Sequence, residues 1–514
     1  MVDAIEVTTQ LPRADSVDIL LLLEGTYPYV SGGVSSWVYE IIRGFPEIRF
    51  GAVFIGGRPE DYGEMKYPLP ENLIHLELHY LFTKDDGGRP KRRRSKVDTM
   101  ALIEDMHDRF HDGDFTEKTD DLVRHVFQKC CSGGTLNQDF FRHSQESWDY
   151  ITARYRQYCR DPSFIDYFWT VRTIHAPIWT LIDIACHSIR AGAYHAISTG
   201  YAGFLGSLLK LGSGRPLLLS EHGIYTKERR IDLYQAQWIK DNLGRLEKDL
   251  TDIDYFRRMW VDFFECIGRV TYHTSDHIIA LYEANRQRQI ADGAPAERTS
   301  SIPNGIDVAR LAPLRAQRPE VPPPIVCLIG RVVPIKDIKT FIRAAHVVIT
   351  HMPEAEMWIA GPADEDPEYA TECRVLAETL GLQDKVRFLG LQKIIDLLPK
   401  VGLVVLSSMS EALPLVILEG FAAGVPTVST DVGSCRQLIY GLDEEDRLLG
   451  AAGRVVSIAD PQAMAEAILE LLRDNDAWYA ASQAAIQRVE RYYDQDLMIS
   501  RYRARYEEVL AWQG

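Results

Sequence analysis

The chain has 514 residues, of which 46% are hydrophobic, and its 73 acidic side chains outnumber 57 basic ones for a formal charge of −16. That length exceeds what one hydrophobic core holds and predicts two or three domains, while the acidic balance excludes a general nucleic-acid binder. The eight cysteines include no C-x-x-C pair, so their spacing suggests neither a zinc site nor a disulfide framework.

The first residues, MVDAIEVTTQLPRADSVD, lack the basic then apolar order of a signal peptide. Nowhere does an apolar stretch approach the ~20 residues that span a bilayer, so a cytoplasmic location is expected. VDILLLLEG, residues 17–25, is a continuous apolar run of the kind buried on both faces of a parallel sheet. It leads into TYPYVSGGVSSWVYEIIRGF, where Gly32-Gly33 close a loop and Val34, Trp37, Val38 and Ile41 give a helix its apolar face. Further strands are expected at 50–57, 195–199, 215–223 and 276–282, with helical patterns between most of them. Residues 83–165 interrupt this rhythm and read as a mostly helical insertion with a charged entrance. The basic run Lys91–Lys96 is expected to be a solvated loop, with contact to an acidic partner or membrane surface as the alternative. APLRAQRPEVPPP, residues 312–324, reads as a domain linker. A second α/β rhythm follows, with strands at 324–331, 356–362, 385–390, 402–408 and 426–430, and helices dominate from 461. The expectation is an α/β protein of two Rossmann-like domains, 1–315 and 316–490.

The stretch SEALPLVILEGFAAGVP, residues 410–426, carries the chemistry. It follows the strand GLVVLSS, so Ser407–Glu411 lie at the C-terminal edge of a parallel sheet, where open α/β sheets bind ligands. Pro414 suits the first turn of a helix, and the free amides of Leu415 and Val416 then form an anion site. Glu411 stands in the loop, and Glu419 lies roughly 7 Å further along the anion site's helix. An anion flanked by two carboxylates suits a sugar nucleotide: one acid takes the sugar hydroxyls and the other the ribose diol. A helix-dipole role accounts for Glu411 but not for an acid at Glu419 in an apolar helix. Arg331 and Lys336, after the first strand of the second domain, are placed to clamp the phosphates.

GRVVPIKD, VRFLG and SEALPLVILEGFAAGVP resemble the donor domain of retaining GT-B glycosyltransferases of family 4, with Glu411 and Glu419 matching that family's E-x7-E motif. The resemblance implies two Rossmann-like domains facing across a cleft, with a C-terminal helix at 491–514 returning to the first. It implies that Glu411 contacts the transferred sugar, Glu419 the ribose, and Arg331 and Lys336 the pyrophosphate. It implies a base pocket at Arg387, Phe388 and Leu389, where main-chain groups read the base. Gly33 is the candidate for close approach to the donor phosphates. His222, in SEHGIY, is placed near the reacting sugar, and Asn304-Gly305, in SIPNGID, at the turn entering an interdomain hinge. The wording of the whole chain is similar to one subgroup, the glycosyltransferases of bacterial Pel exopolysaccharide synthesis. That likeness implies a UDP-sugar donor, a growing polysaccharide acceptor and inner-membrane Pel synthesis proteins as partners. The run Glu228-Arg229-Arg230 departs from most of the family and carries no assigned role.

Catalysis is then positioning plus electrostatics, with the leaving diphosphate held by Arg331, Lys336 and the helix amides, so no metal and no cofactor is expected. The triplets Asp252-Ile-Asp254 and Asp364-Glu-Asp366 read as surface or cap residues. Two other readings keep the fold: a GT-B-type UDP-sugar epimerase, and a non-catalytic sugar-nucleotide-binding scaffold of a polysaccharide synthesis complex.

Overall fold

The computed structural model describes residues 11–82, 98–133, 136–159, 163–236, 238–239 and 255–511. The apolar runs become parallel strands: β1 Ser16–Glu24, β2 Phe50–Gly56, β3 Leu73–Tyr80, β4 Arg190–Ala196, β5 Leu217–Glu221, β6 His277–Ala280 and β7 Thr299–Ser301. They form one seven-stranded sheet in the order β3-β2-β1-β4-β5-β6-β7. Six more, β8 Ile325–Ile329, β9 Glu356–Ala360, β10 Val386–Gly390, β11 Leu403–Leu406, β12 Thr427–Thr430 and β13 Gly453–Val456, form a second sheet ordered β10-β9-β8-β11-β12-β13. Ile19 through Leu23 are all fully buried, as a central parallel strand covered on both faces requires. Sequence periodicity missed β3, β7 and β13, and it set β4 several residues too late.

Two units result, one of Met1–Ser301 with Arg503–Gly514 and one of Ile302–Tyr502. The boundary expected at 315 is therefore corrected to 301. The Pro-rich segment is not a free linker, because Ala312–Gln317 coil into a 3-10 helix with Leu314 buried. The Arg315 Nε donates to the Ala422 carbonyl at 2.7 Å, and the Arg318 guanidinium to those of Leu398 and Val401 at 2.8 and 2.9 Å. At the other end the last helix, Gln495–Leu510, changes unit at Arg503 rather than near 491. In the first unit Tyr506 is buried, its hydroxyl 2.8 Å from the His195 Nδ1 and its ring edge-on to Phe45 and Phe50.

The insertion expected over 83–165 extends further. Between β3 and β4 the helices Asp98–Asp112, Glu117–Cys131, Gln138–His143, Gln145–Tyr158 and Phe164–His187 follow one another. A disulfide joins Cys131 to Cys186 inside it, which the spacing did not suggest because 55 residues separate the pair. The basic run Lys91–Lys96 and the triplet Asp252–Asp254 lie outside the described residues. Asp366, in the other triplet, caps the helix Pro367–Thr379 by accepting from the Tyr369 amide. No described helix is long and apolar enough to cross a membrane.

Strand order decides where ligands go. In each sheet the chain's order reverses once, at β1/β4 in the first and at β8/β11 in the second. Connections there leave in opposite directions and open a crevice at the strands' C-terminal ends.

Candidate functional site

In the second unit the loops after β8 and β11 meet at that crevice. The Lys336 Nζ reaches the Glu411 Oε1 at 2.5 Å, and the Ser408 hydroxyl donates to the same carboxylate oxygen at 2.7 Å. Both charged side chains are mostly buried. The loop is pinned from three sides. Ser407 donates to the Lys336 carbonyl, the Met409 amide to Ile335, and Thr430 to the Ser408 carbonyl. Gly433, at φ +52°, closes against it so tightly that a Cβ there would lie 2.2 Å from the Glu411 carbonyl oxygen. That contact admits only glycine.

The helix Leu415–Ala422 starts after Pro414 with no side-chain cap, leaving the Leu415 and Val416 amides without an acceptor among the described residues. An uncapped helix N-terminus carries partial positive charge on its free amides. One turn along, the half-buried Glu419 has no hydrogen-bond partner among the described residues. Burial pushes its carboxyl up to about 7, against a smaller opposite pull from Arg310. A raised and unpartnered carboxyl makes Glu419 a candidate for a ligand site.

Arg331 does not join the cluster. It forms an exposed ion pair with Glu365 at 2.6 Å. Arg387 likewise pairs with Glu356 at 3.1 Å on the sheet's edge, while Phe388 lies under the Arg374 guanidinium at 4.4 Å. The Leu389 carbonyl accepts from the Gln392 side chain. Gly305 abuts the chain at Asp494 and Gln495, where a Cβ would fall 2.6 Å from the Gln495 Cα, and Asn304 is buried.

The first unit has its own crevice at β1/β4. The helix Gly33–Gly44 begins behind Gly32 without a side-chain cap, and a Cβ at Gly33 would meet nothing within 4 Å. Below lies a cavity of about 860 Å³ lined by Glu24, Ser198, His222, Tyr225, Arg229 and Phe264 among others. His222 follows β5, is 7% exposed, and packs its ring edge-on to Trp37 at 4.6 Å. Its Nε2 has no hydrogen-bond partner among the described residues, and burial pushes its pKa down to about 4, so the ring is neutral at pH 7. Arg229, which sequence reasoning left without a role, stacks on Tyr225 and Phe264 at 5.1 and 5.3 Å. Tyr225 donates to Glu24 at 2.8 Å, next to the Arg229 guanidinium at 3.9 Å. The motif ERR held a signal after all: an arginine four residues past a tyrosine on one helix stacks on it.

Comparison with known proteins agrees with this division. Residues 17–297, more than half of the chain, match the family model described as Domain of unknown function (DUF3492). The chain belongs to the DUF3492 family. Residues 323–474 match the model described as Glycosyl transferases group 1, so a group 1 glycosyltransferase domain follows the DUF3492 region. Among curated relatives, the N-acetyl-alpha-D-glucosaminyl L-malate synthase of Bacillus anthracis is 27% identical over 34% of this chain and 43% of its own length. The D-inositol 3-phosphate glycosyltransferase of Corynebacterium urealyticum is 29% identical over 33% and 39%. The chain thus spans less than half the length of either relative. Among solved structures, Anabaena Alr3699/HepE in complex with UDP and glucose covers 96% of this chain and 99% of its own at a TM-score of 0.55 and 16% identity. The sucrose-phosphate synthase of Thermosynechococcus elongatus gives 0.56 over 96% and 99%, also at 16% identity. The likeness is one of fold, and this DUF3492 protein has the α/β GT-B architecture.

The group 1 domain contains Arg331, Lys336, Glu411 and Glu419, and the DUF3492 region contains Gly33 and His222. Ser408 and Gly433, which hold the Glu411 loop, were not foreseen. The Ser408 hydroxyl finds a carboxylate only three residues on, whereas Gly433 meets the Glu411 backbone from 22 residues away, a proximity that one sequence does not show.

Proposed function

We propose that this protein is a retaining glycosyltransferase of family 4 that transfers a sugar from a UDP-sugar to a growing bacterial polysaccharide. The reading rests above all on the Lys336–Glu411 pair at 2.5 Å beside the uncapped helix at Leu415. Lys336 and the amides of Leu415 and Val416 hold the diphosphate, Glu411 the transferred sugar, and Glu419 the ribose. Arg331 joins them by exchanging Glu365 for phosphate, a swap that costs little because an exposed ion pair contributes only about 0–1 kcal/mol. The main chain at Arg387, Phe388 and Leu389 meets the base. Leaving-group charge falls on these cations and amides, so transfer runs without a metal. Neutral His222 offers a hydrogen bond to the reacting sugar or acceptor rather than a charge. The wording of the chain resembles PelF, so the acceptor is a Pel-like exopolysaccharide and the partners are inner-membrane Pel synthesis proteins on the cytoplasmic side.

The two glutamates test this reading. Glu419→Ala removes a ribose contact present in UDP itself and weakens UDP by about 1.5–3 kcal/mol, with a raised donor KM. Glu411→Ala removes a contact that UDP never makes, so UDP affinity holds while kcat falls steeply. Calorimetry with UDP beside turnover in excess chelator reads both. Equal loss of UDP affinity in the two variants, or activity that needs added magnesium, refutes the assignment. Release of UDP without an acceptor would point to another reaction.

A further inference from the structure

The helical insertion contains a cavity that no proposed step uses. It measures about 390 Å³, within the roughly 300–1,000 Å³ of small-molecule sites, and lies between the insertion and the helix Tyr255–Thr274 of the same unit. Its wall is aromatic. Tyr150 and Tyr158 flank the Arg154 guanidinium at 5.1 and 5.7 Å, and Phe141 packs on the His175 ring at 5.0 Å.

Its polar groups cancel in charge. Arg154 pairs with Asp108, and Arg258 lies one turn from Asp262 on one helix. His107 and His175 are driven neutral by burial, His107 down to about 3. The His175 Nδ1 donates to the Val171 carbonyl at 2.7 Å, which leaves its Nε2 as an acceptor. The cavity therefore combines flat apolar rings with donors and acceptors of no net charge. With two arginines set against two aspartates among the described lining residues, an inorganic anion or a metal ion gains no net electrostatic attraction there. A purely apolar ligand strands the Arg and Asp groups. A pyranose satisfies both demands, since its C–H faces lie on aromatic rings while its hydroxyls donate and accept in turn.

We propose that this cavity is a second carbohydrate site, which holds an uncharged hexose or N-acetylhexosamine unit of the acceptor chain away from the reacting end. Its use by the acceptor rests on the proposed transfer reaction, but the binding itself does not. Titration of the full chain with maltotriose and with triacetylchitotriose, alongside a UDP titration of the same sample, tests it. At least one trisaccharide is expected to bind saturably. Arg258→Ala, at an exposed position, and Tyr158→Ala, at the rim, are each expected to weaken it tenfold or more while UDP affinity stays unchanged. Circular dichroism of both variants checks that they fold. Binding of neither trisaccharide by a sample that binds UDP overturns the proposal. So does binding that survives both substitutions, or that inorganic phosphate displaces. Failure of the UDP titration instead counts against the donor site alone.

Discussion

Glu419 is one side chain whose environment makes a pH-dependent claim. A carboxyl at the surface titrates near 4.5, whereas burial holds this one at about 7. If Glu419 holds the ribose as proposed, the hydroxyls bond more strongly to its carboxylate than to the protonated acid, so UDP favours the ionised form. The sign follows. Around pH 7 and below, UDP binding releases protons from Glu419, and affinity falls by up to roughly tenfold per unit of further acidification. Glu419→Gln removes that component and leaves the titration of UDP itself. Calorimetry of both proteins between pH 5.5 and 8, in buffers of different ionisation enthalpy, measures the difference. Identical pH profiles would detach Glu419 from the ribose. At the same scale, His222 carries no charge to lose above about pH 4, so its contribution is flat through neutrality.

At the scale of elements, the loop from β11 to the helix Leu415–Ala422 is shaped by its neighbours more than by its own residues. The Ser434 amide donates to the Ala412 carbonyl at 2.9 Å, and Gly433 lies against the Glu411 carbonyl. Gly433→Ala puts a methyl at 2.2 Å from that oxygen on a backbone at φ +52°. Something must shift, at a cost of about 1–3 kcal/mol in stability. Because the atoms in the way belong to Glu411 and Ala412, the shift moves the carboxylate off Lys336. Turnover is expected to fall at least tenfold, with the melting temperature lowered by a few degrees. A variant with wild-type turnover would show that the loop is not held from this side. The helix Phe164–His187 makes the opposite point. It continues through Pro177, a residue that usually breaks helices, and carries the insertion beyond its expected end.

For the whole molecule, two sheets, each with its own hydrophobic core, are built from one chain whose last helix is divided between the two units. Tyr506 anchors the final segment in the first unit through His195, which is also hydrogen-bonded to Ser220 at 2.8 Å. Tyr506→Ala leaves a cavity between Phe45 and Phe50 and strips the buried imidazole of a partner. The loss is estimated at about 3–5 kcal/mol. Scanning calorimetry is expected to show the transition of the first unit moved to lower temperature. A variant that melts as wild type would mean that the C-terminal segment adds nothing to that core.

The α/β class and the main strands of each sheet were legible in the sequence, because a strand covered on both faces must be a continuous apolar run, as VDILLLLEG is. So was the meeting of Lys336 with Glu411: both sit at fixed offsets from strand ends, and the backbone geometry of a strand and turn converts such offsets into position. The tertiary structure decided what depends on packing between distant segments. It placed the boundary at 301, because Arg315 and Arg318 find carbonyl partners more than 80 residues away in sequence. It sent Arg331 to Glu365, although Arg331 and Lys336 follow the same strand. It also enclosed His222 and Glu419 closely enough to change their protonation, and it brought helices from both sides of β4 together around a cavity in the insertion. Each of these depends on burial and on which distant side chain arrives, and neither is encoded in the local order of residues.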